Sequence, residues 1–551
     1  MCGIFGGHVP LVMDNAETLL THRGPDQRGR VSLIDRRGEP FVLGMTRLNI
    51  VDRRNMPVPF EAGGAFIAFN GEVYNWREIR AQLEAKGVQF VTMTDTEVVL
   101  HAYIEWGPAC LQRLNGMFAV AIWRGGELFL ARDRLGKKPL FYYAGAEGLA
   151  FASEFKALAR LEYAEVDICE RLEFYFDEHT PFRGVKSLRP GEYLLYDTAT
   201  RTIRATTWWT YPQYQGTLID LRKALSEFIP LFEDACRLRS LADVPVTVFL
   251  SGGIDSSLIQ AVLRLETTYT LQFEEFRDTI NEEQLAEEYA RFLNFEARVI
   301  VPTRDDFVEA FPQLARYIEF PVGSLSVFPL FALAQRSRAD GFKVALSGEG
   351  ADEFFNGYHR NEMLLAEDAM VAEQLIGPYR HLAGRYFGSR LERFARMASR
   401  GGFRDVPVLM DLFLPLWRDD APFAHNLAVV EATVFLQPLL VMADRMSMGN
   451  SLEVRNPFMD YRIVEFSTKL APELRYANGR GKHLLREALK MLLGTEKLGI
   501  TQRPVKHGLP SPINVWLLGT HSFERKGWNR LMLGECVRQL SLRGAIPTID
   551  R

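Results

Sequence analysis

Apolar positions in residues 1 to about 205 come in short runs, alternating or clustered over four to seven places and broken by Gly, Asn or Asp. Examples are "GGAFIAFNGEVYN", "MFAVAIWRGGELFLARD", "PLFYYAGAEGLAFASE" and "GEYLLYD". This texture predicts β-strands joined by turns. Two stretches break it with a helical period: "NWREIRAQLEAKG", apolar at Trp76, Ile79 and Leu83 and closed by Gly87, and "TDTEVVLHAYIEWG", closed by Gly107. After the aromatic segment "TTWWTYPQYQGT" the pattern changes. "LIDLRKALSEFIPLFEDACRLRSL" reads as a long amphipathic helix, and "VPVTVFLSGGIDSSLIQAVLRL" as strand, glycine turn and helix. "TYTLQF", "NEEQLAEEYARFLN", "EARVIVP", "DDFVEAFPQLARYIE" and "KVALSGEGADEFF" continue the alternation of strand and helix. Continuous apolar strands alternating with helices imply a parallel α/β sheet. From about 360 onward the pattern is mostly helical, with no internal repeat. The predicted division is a strand-rich domain over 1–210 and an α/β domain with a helical C-terminal part over 211–551, the boundary falling near 205–216.

Two domains also suit 551 residues, too many for one ordinary core. A net charge of −4 with 24% charged residues gives no sign of a nucleic-acid or membrane-surface partner. Five cysteines, at 2, 110, 169, 236 and 536, are too scattered for a disulfide framework or a zinc cluster. The start of the chain lacks the pattern of a secretory signal. "NLAVVEATVFLQPLL", the most apolar later run, is interrupted by Glu431, Gln437 and Pro438 and is not expected to span a bilayer. A cytoplasmic enzyme is the expected class.

The sharpest local chemistry is "VTVFLSGGIDSS", residues 246–257. A buried strand delivers Ser251. Gly252 and Gly253 let backbone N–H groups approach an anion, Ser251, Ser256 and Ser257 add hydroxyls, and a helix opens near Asp255. Asp255 beside such an anion nest is a natural magnesium ligand. The lysine of the GxxxxGK[ST] loop is absent. A plain strand–turn–helix connection is the alternative. "KVALSGEGADE" repeats the arrangement at 343–353, and two such loops can meet at the carboxyl edge of one parallel sheet. Asp352 could then share the cation with Asp255.

"SGGIDSS" resembles the pyrophosphate loop of N-type ATP pyrophosphatases, which adenylate a substrate and release pyrophosphate. "LSGEGADEFFNGY", "SLEVRNPFMD" and "RPVKHGL" resemble, in order, further motifs of their asparagine synthetase branch. The resemblance implies an ATP site of Leu250, Ser251, Gly252, Gly253, Asp255, Ser256, Ser257, Leu271, Ser347 and Gly348, with Mg2+ on Asp255 and Asp352. It puts Glu349 at the reacting centre and Lys506 as an electrostatic clamp on the phosphoryl group. Lys482 and Tyr358 carry over more weakly. Read singly, Lys506 is equally a surface lysine, and Glu453 with Arg455 an ion pair anchoring a loop.

An adenylate needs a nucleophile, which leads back to "MCGIF". If Met1 is removed, Cys2 combines a thiol with an α-amine titrating near neutrality, so one residue holds nucleophile and base. A small apolar residue is the other reading of Cys2. "HRGPD", "TRLNIVD", "FNGEVYN", "TDTEV" and "ARDRLGKKPLFY" resemble, in order, the class II glutamine amidotransferase domain, an N-terminal-nucleophile (Ntn) hydrolase with two stacked sheets between helical layers, an αββα sandwich. The resemblance implies Asn70 and Gly71 as oxyanion donors and Arg47, Asn70, Glu72 and Asp95 around the glutamine. Arg47 suits the α-carboxylate and Asp95 the α-ammonium. Alternatively Arg47 is a solvent-facing charge at a strand edge and Asp95 the N-cap of the following helix.

Together the halves imply a glutamine-dependent amidotransferase. MgATP activates a carboxylate, and ammonia from glutamine travels through an enclosed passage to it. Aspartate is the expected acceptor; a sugar acid, peptide or secondary metabolite is the alternative, with a lactam-forming relative or a non-catalytic binding protein behind it. A homodimer is common in the family. Asn356-Gly357 where the family pairs glycines, Asn456 where an apolar residue is usual, and a changed spacing before Lys506 with His507 beyond it all bear on the acceptor.

Overall fold

The structure, a computed structural model, describes residues 2–52, 54, 56–159, 161, 177–278, 281–320, 324–366, 388–399, 406–496, 498–502 and 511–518, with 528, 531, 532, 535, 536, 538 and 539. Twelve strands build the first domain: β1 (Cys2–His8), β2 (Gln27–Ile34), β3 (Pro40–Arg47), β4 (Phe60–Ala62), β5 (Ala65–Val73), β6 (Gly116–Arg124), β7 (Glu127–Arg132), β8 (Phe141–Gly145), β9 (Gly148–Ala152), β10 (Val185–Ser187), β11 (Glu192–Asp197) and β12 (Thr202–Thr207). They form two six-stranded sheets, in the orders β10-β8-β9-β1-β3-β2 and β12-β11-β7-β6-β5-β4. Every strand pair in them is antiparallel.

Side-chain alternation makes each strand serve two layers. Ile4, Leu43 and Met45 of the first sheet meet Ala68, Ala119, Ala121 and Leu130 of the second in the core between them. On the other face of the second sheet, Phe69, Val120 and Ile122 pack on Trp76, Ile79, Leu83, Val98 and Tyr103. Those last residues lie on the helices Trp76–Glu84 and Asp95–Trp106, the two helical stretches of the sequence pattern. The outer face of the first sheet, through Phe5, Val42 and Ala152, joins a core shared with the second domain.

The second domain holds five parallel strands: β13 (Val246–Phe249), β14 (Thr267–Leu271), β15 (Glu296–Ile300), β16 (Val344–Leu346) and β17 (Glu453–Arg455). Their order is β15-β14-β13-β16-β17, so the chain reverses its direction of travel across the sheet between β13 and β16. The chain beyond 360 is mostly helical as expected, and β17 is a three-residue strand within it that gives no periodic signal. Val248, Leu250 and Leu346 face the helices Leu221–Ser240, Ile254–Leu263 and His483–Leu493. Phe249, Tyr269 and Ala345 face Arg304–Ile318, Val327–Ala339 and Leu436–Met448. The apolar segment Phe423–Met448 is long and apolar enough to cross a membrane by length and composition, yet most of it is buried inside the protein. It also carries Glu431, Asp444 and Arg445 in ion pairs, the behaviour of an interior helix.

Candidate active sites

Cys2 begins β1 and lies buried opposite Arg47 of β3. Burial pushes its thiol pKa up, against the lowering charge of Arg47. The Cys2 N–H donates to Asn70 Oδ1 at 3.2 Å, across from one sheet to the other. Asn70 Nδ2 is buried and has no hydrogen-bond partner among the described residues. An orphaned amide donor beside a thiol is costly unless something anionic arrives to accept from it. Gly71 follows, and a Cβ there would overlap the Met117 carbonyl oxygen, so this stretch of β5 admits no side chain.

Arg47 is not a solvent-facing charge. Its guanidinium donates to the carbonyls of Val51, at 3.1 Å, and Asp52, at 2.7 Å, and to Gln27 Oε1 at 2.6 Å. Nor is Asp95 the helix N-cap, because Thr94 accepts from the Glu97 N–H and caps the helix. Asp95 Oδ2 accepts instead from the Val73 N–H at 2.9 Å, just past the Asn70-Gly71 pair. Burial raises its pKa to about 6, with the Glu453 charge adding to the rise and the Val73 N–H opposing it. Glu72, two places beyond Asn70 on the same strand, is buried beside Asp95 and also meets a residue of the second domain. Its Oε2 lies 3.3 Å from Arg455 Nη2, and Arg455 Nε is 2.5 Å from Glu453 Oε1. The expected anchoring pair of Glu453 and Arg455 is therefore real and takes in Glu72, a residue the sequence suggested for glutamine.

The second cluster sits where β13 and β16 part. They are adjacent and parallel, with Val248 opposite Leu346, so the loops that follow leave the sheet edge side by side. Gly252 has φ +59, and a Cβ on Gly348 would come within 2.6 Å of Asp255 Cβ. Each loop thus needs glycine for the close approach. The Ser251 N–H donates to Ser256 Oγ at 3.1 Å, and Ser257 Oγ donates to the Gly253 carbonyl at 2.7 Å. Gly253 occupies the N-cap of the helix Ile254–Leu263 and offers no side chain to its first-turn N–H groups. Leu250 and Leu271 are buried at the ends of their strands.

Asp255 and Asp352 are brought together as expected, and a lysine lies between them. Lys482 Nζ is 2.5 Å from Asp255 Oδ2 and 2.7 Å from Asp352 Oδ1. Asp255 Oδ1 is buried without a hydrogen-bond partner among the described residues. The Lys482 ammonium takes up the two facing oxygens, and the orphaned Asp255 Oδ1 is the donor that fits a divalent cation beside it. The Ser347 N–H donates to the Arg455 carbonyl at 3.0 Å, extending the β16–β17 ladder. That brings Asn456 beside Glu349, and Asn456 Nδ2 donates to Glu349 Oε2 at 3.1 Å. Burial raises the Glu349 pKa to about 7, against the lowering effect of that hydrogen bond. Tyr358 donates to Glu353 Oε1 at 2.5 Å. Lys506 lies outside the described residues. Sequence reasoning did not anticipate Lys482 between the aspartates, Arg23 on the Cys2 carbonyl (Nε to O, 3.1 Å) or Asn456 on Glu349.

The asparagine synthase family pattern matches residues 227–527, and the glutamine amidotransferase domain pattern matches residues 1–209. The chain belongs to the asparagine synthase family. It is 32% identical to a putative glutamine-hydrolyzing asparagine synthetase of Mycobacterium tuberculosis, over 93% of this chain and 86% of that protein. It is 30% identical to the glutamine-hydrolyzing asparagine synthetase 1 of Bacillus subtilis, over 91% and 85%. An amidase of Gibberella zeae, chry2, is 27% identical over 91% and 86%. Among solved structures, a glutamine phosphoribosylpyrophosphate amidotransferase of B. subtilis covers 54% of this chain and 65% of its own, at 18% identity and TM-score 0.28. This member of the family is an ATP-dependent, glutamine-hydrolysing ligase that carries out glutamine-dependent amidation.

Proposed function

We propose that the enzyme activates a carboxylate with MgATP and amidates it with ammonia released from glutamine at Cys2, with aspartate as acceptor. The observation that carries the reading is the pairing of two sites in one chain: an orphaned amide donor beside a thiol, and a glycine-serine loop beside two convergent aspartates. After removal of Met1 the Cys2 amine takes the thiol proton, and the thiolate attacks the glutamine amide carbon. Asn70 Nδ2 and the Gly71 N–H receive the oxyanion, Arg47 the α-carboxylate and Asp95 the α-ammonium. Ammonia leaves, and water frees glutamate. In the second site the N–H groups and hydroxyls of 251–257 hold the phosphates. Asp255 and Asp352 would hold Mg2+, which when bound screens the phosphate charge, and Lys482 adds a cation beside it. Glu349 faces the acceptor, where ammonia displaces AMP from the acyl adenylate.

A second reading, amidation of a different carboxylate, is favoured by one feature. Asn456 sets a polar amide on Glu349, where the resemblance drawn from the sequence implies an apolar residue, and relatives named as amidases exist alongside the synthetases. One experiment separates the readings. Pyrophosphate release is assayed with ammonium chloride over a panel of carboxylic acids headed by L-aspartate, in wild type and Cys2→Ala. A signal on aspartate that survives Cys2→Ala with ammonia but vanishes with glutamine supports the first. Silence on aspartate with a signal on another acid supports the second. Loss of the ammonia-driven reaction in a folded Cys2→Ala protein defeats the two-site scheme.

A further inference from the structure

The main chain around Cys2 is tied down by side chains on every side. Asn70 Oδ1 accepts from its N–H, Thr46 Oγ1 accepts from the Gly3 N–H at 3.1 Å, and Arg23 Nε donates to its carbonyl at 3.1 Å. With the backbone fixed, only χ1 is left to aim the sulfur. The first two ties come from the glutaminase domain. Arg23 is different, because one of the carboxylates that hold it comes from the other domain.

Arg23 is fully buried and its Nη1 lies 2.8 Å from both Glu154 Oε1 and Asp444 Oδ2. Burial works against its charge, and the Asp444 and Glu154 carboxylates more than offset this, raising its pKa. Glu154 cannot do this alone. It is shared among three cationic side chains, Lys156 Nζ at 2.5 Å and Arg445 Nη1 at 3.2 Å besides Arg23, and it also meets His22 Nε2 at 3.0 Å, an imidazole whose pKa burial lowers to about 4. Asp444 sits on the helix Leu436–Met448 of the synthase domain, and its other oxygen meets Lys138 Nζ at 3.3 Å. That helix rests, through Met442 and Met446, on the face of the parallel sheet opposite the helix of the glycine-serine loop.

We propose that Asp444 is a positioning residue for the glutaminase: from the synthase domain it fixes Arg23, which fixes the Cys2 carbonyl and so the direction of the thiol. Without the Asp444 charge the guanidinium swings toward Glu154 and leaves the carbonyl, while the glutamine-facing groups Arg47 and Asp95 stay where they are. The turnover of glutamine then falls and its binding does not. This rests on the reading of Cys2 as the nucleophile. If Cys2→Ala still hydrolyses glutamine, that reading fails before Asp444 is tested.

The test uses the full chain carrying Asp444→Asn, an isosteric neutral change. Glutamine hydrolysis, MgATP binding by calorimetry and the melting midpoint are measured beside wild type. The expected result is a fall in kcat for hydrolysis of about 10- to 100-fold, the size of effect a slightly misplaced reacting group produces, with KM for glutamine and the MgATP Kd within about twofold. Inactivation of Cys2 by a diazoketone analogue of glutamine should slow in proportion to kcat. An unchanged kcat overturns the proposal. So does a rise in KM with kcat preserved, or a parallel loss of MgATP binding, either of which assigns Asp444 a different role. If Asp444→Asn does not fold, Asp444→Glu keeps the charge and shifts it by one methylene; the same loss confined to kcat is expected there, and wild-type kinetics overturn the proposal.

Discussion

At the scale of single residues, the proposed glutamine site includes a buried carboxylate that must be charged to pair with an ammonium group. Asp95 is buried and its pKa is raised to about 6, so it is ionised above that pH and neutral below it. Only the ionised form pairs with an α-ammonium group. As pH falls through about 6 the site loses that partner, and KM for glutamine should climb by up to about tenfold per pH unit, while kcat follows its own profile. Asp95→Asn should show a high KM at every pH and no such limb. A KM that stays flat from pH 7.5 to 5 in the wild type would show that Asp95 does not bind the ammonium. What was legible in the sequence is the set of residues that the fold brings together: Cys2 in "MCGIF", Asn70-Gly71 in "FNGEVYN" and Asp95 in "TDTEV" stand beside distinctive neighbours, and Cys2 meets Asn70 while Asp95 meets the Val73 N–H. Glu72 shows what a local pattern leaves out: its motif suggested glutamine, and it also contacts Arg455, 383 positions away, a distance no local pattern announces.

At the scale of elements, the parallel sheet was read correctly where a strand was long enough to carry a pattern and followed by a glycine-rich turn. β13, β14, β15 and β16 all appear within the apolar runs that predicted them. β17 has three residues, paired with β16 from Val344–Glu453 to Leu346–Arg455, and exists because the sheet supplies its partners, not because its sequence demands a strand. Lys482 and Arg455 were both named from the sequence, but their long-range partners were not: Lys482 reaches Asp255 from 227 residues away, off the start of a helix. The two loops after β13 and β16 make a prediction that belongs to the pair. Gly348→Ala sets a methyl 2.6 Å from Asp255 Cβ and 3.1 Å from the Ser256 nitrogen, and so wedges the loops apart. Overpacking of that kind costs about 1–3 kcal/mol, enough to weaken MgATP binding roughly tenfold or more if the free loops relieve the strain by parting and the bound geometry has to restore it. Calorimetric titration with MgATP checks it, and an unaltered Kd would mean the loops do not act as one cradle.

At the scale of the whole molecule, the two domains are joined by buried charge as well as by apolar surface. Arg239 and Asp460 pair at 2.8 Å, with Asn115 of the glutaminase domain 3.0 Å from the same carboxylate oxygen. Arg455 bridges Glu72 of one domain and Glu453 of the other. A buried pair of this kind adds little over an apolar replacement of both partners, but removing one partner leaves the other charge stranded and costs about 3–5 kcal/mol. Arg455→Leu should therefore lower the urea midpoint well beyond an ordinary single substitution. The pH dependence of the loss identifies its origin. Glu72 is already held well above the usual glutamate range by burial and by the neighbouring Asp95, with Arg455 pulling it back down. With Arg455 gone, Glu72 and Glu453 take up protons on folding that the unfolded chain does not hold, so stability is retained at low pH and lost as pH rises through their folded values. The deficit of Arg455→Leu should be smallest near pH 5 and grow toward pH 8. Adding Glu72→Gln to it should recover part of the loss at pH 8 and little at pH 5. A deficit that is the same at both pH values would place the cost in packing, and the two domains would then be held together by shape rather than by the charge that crosses between them.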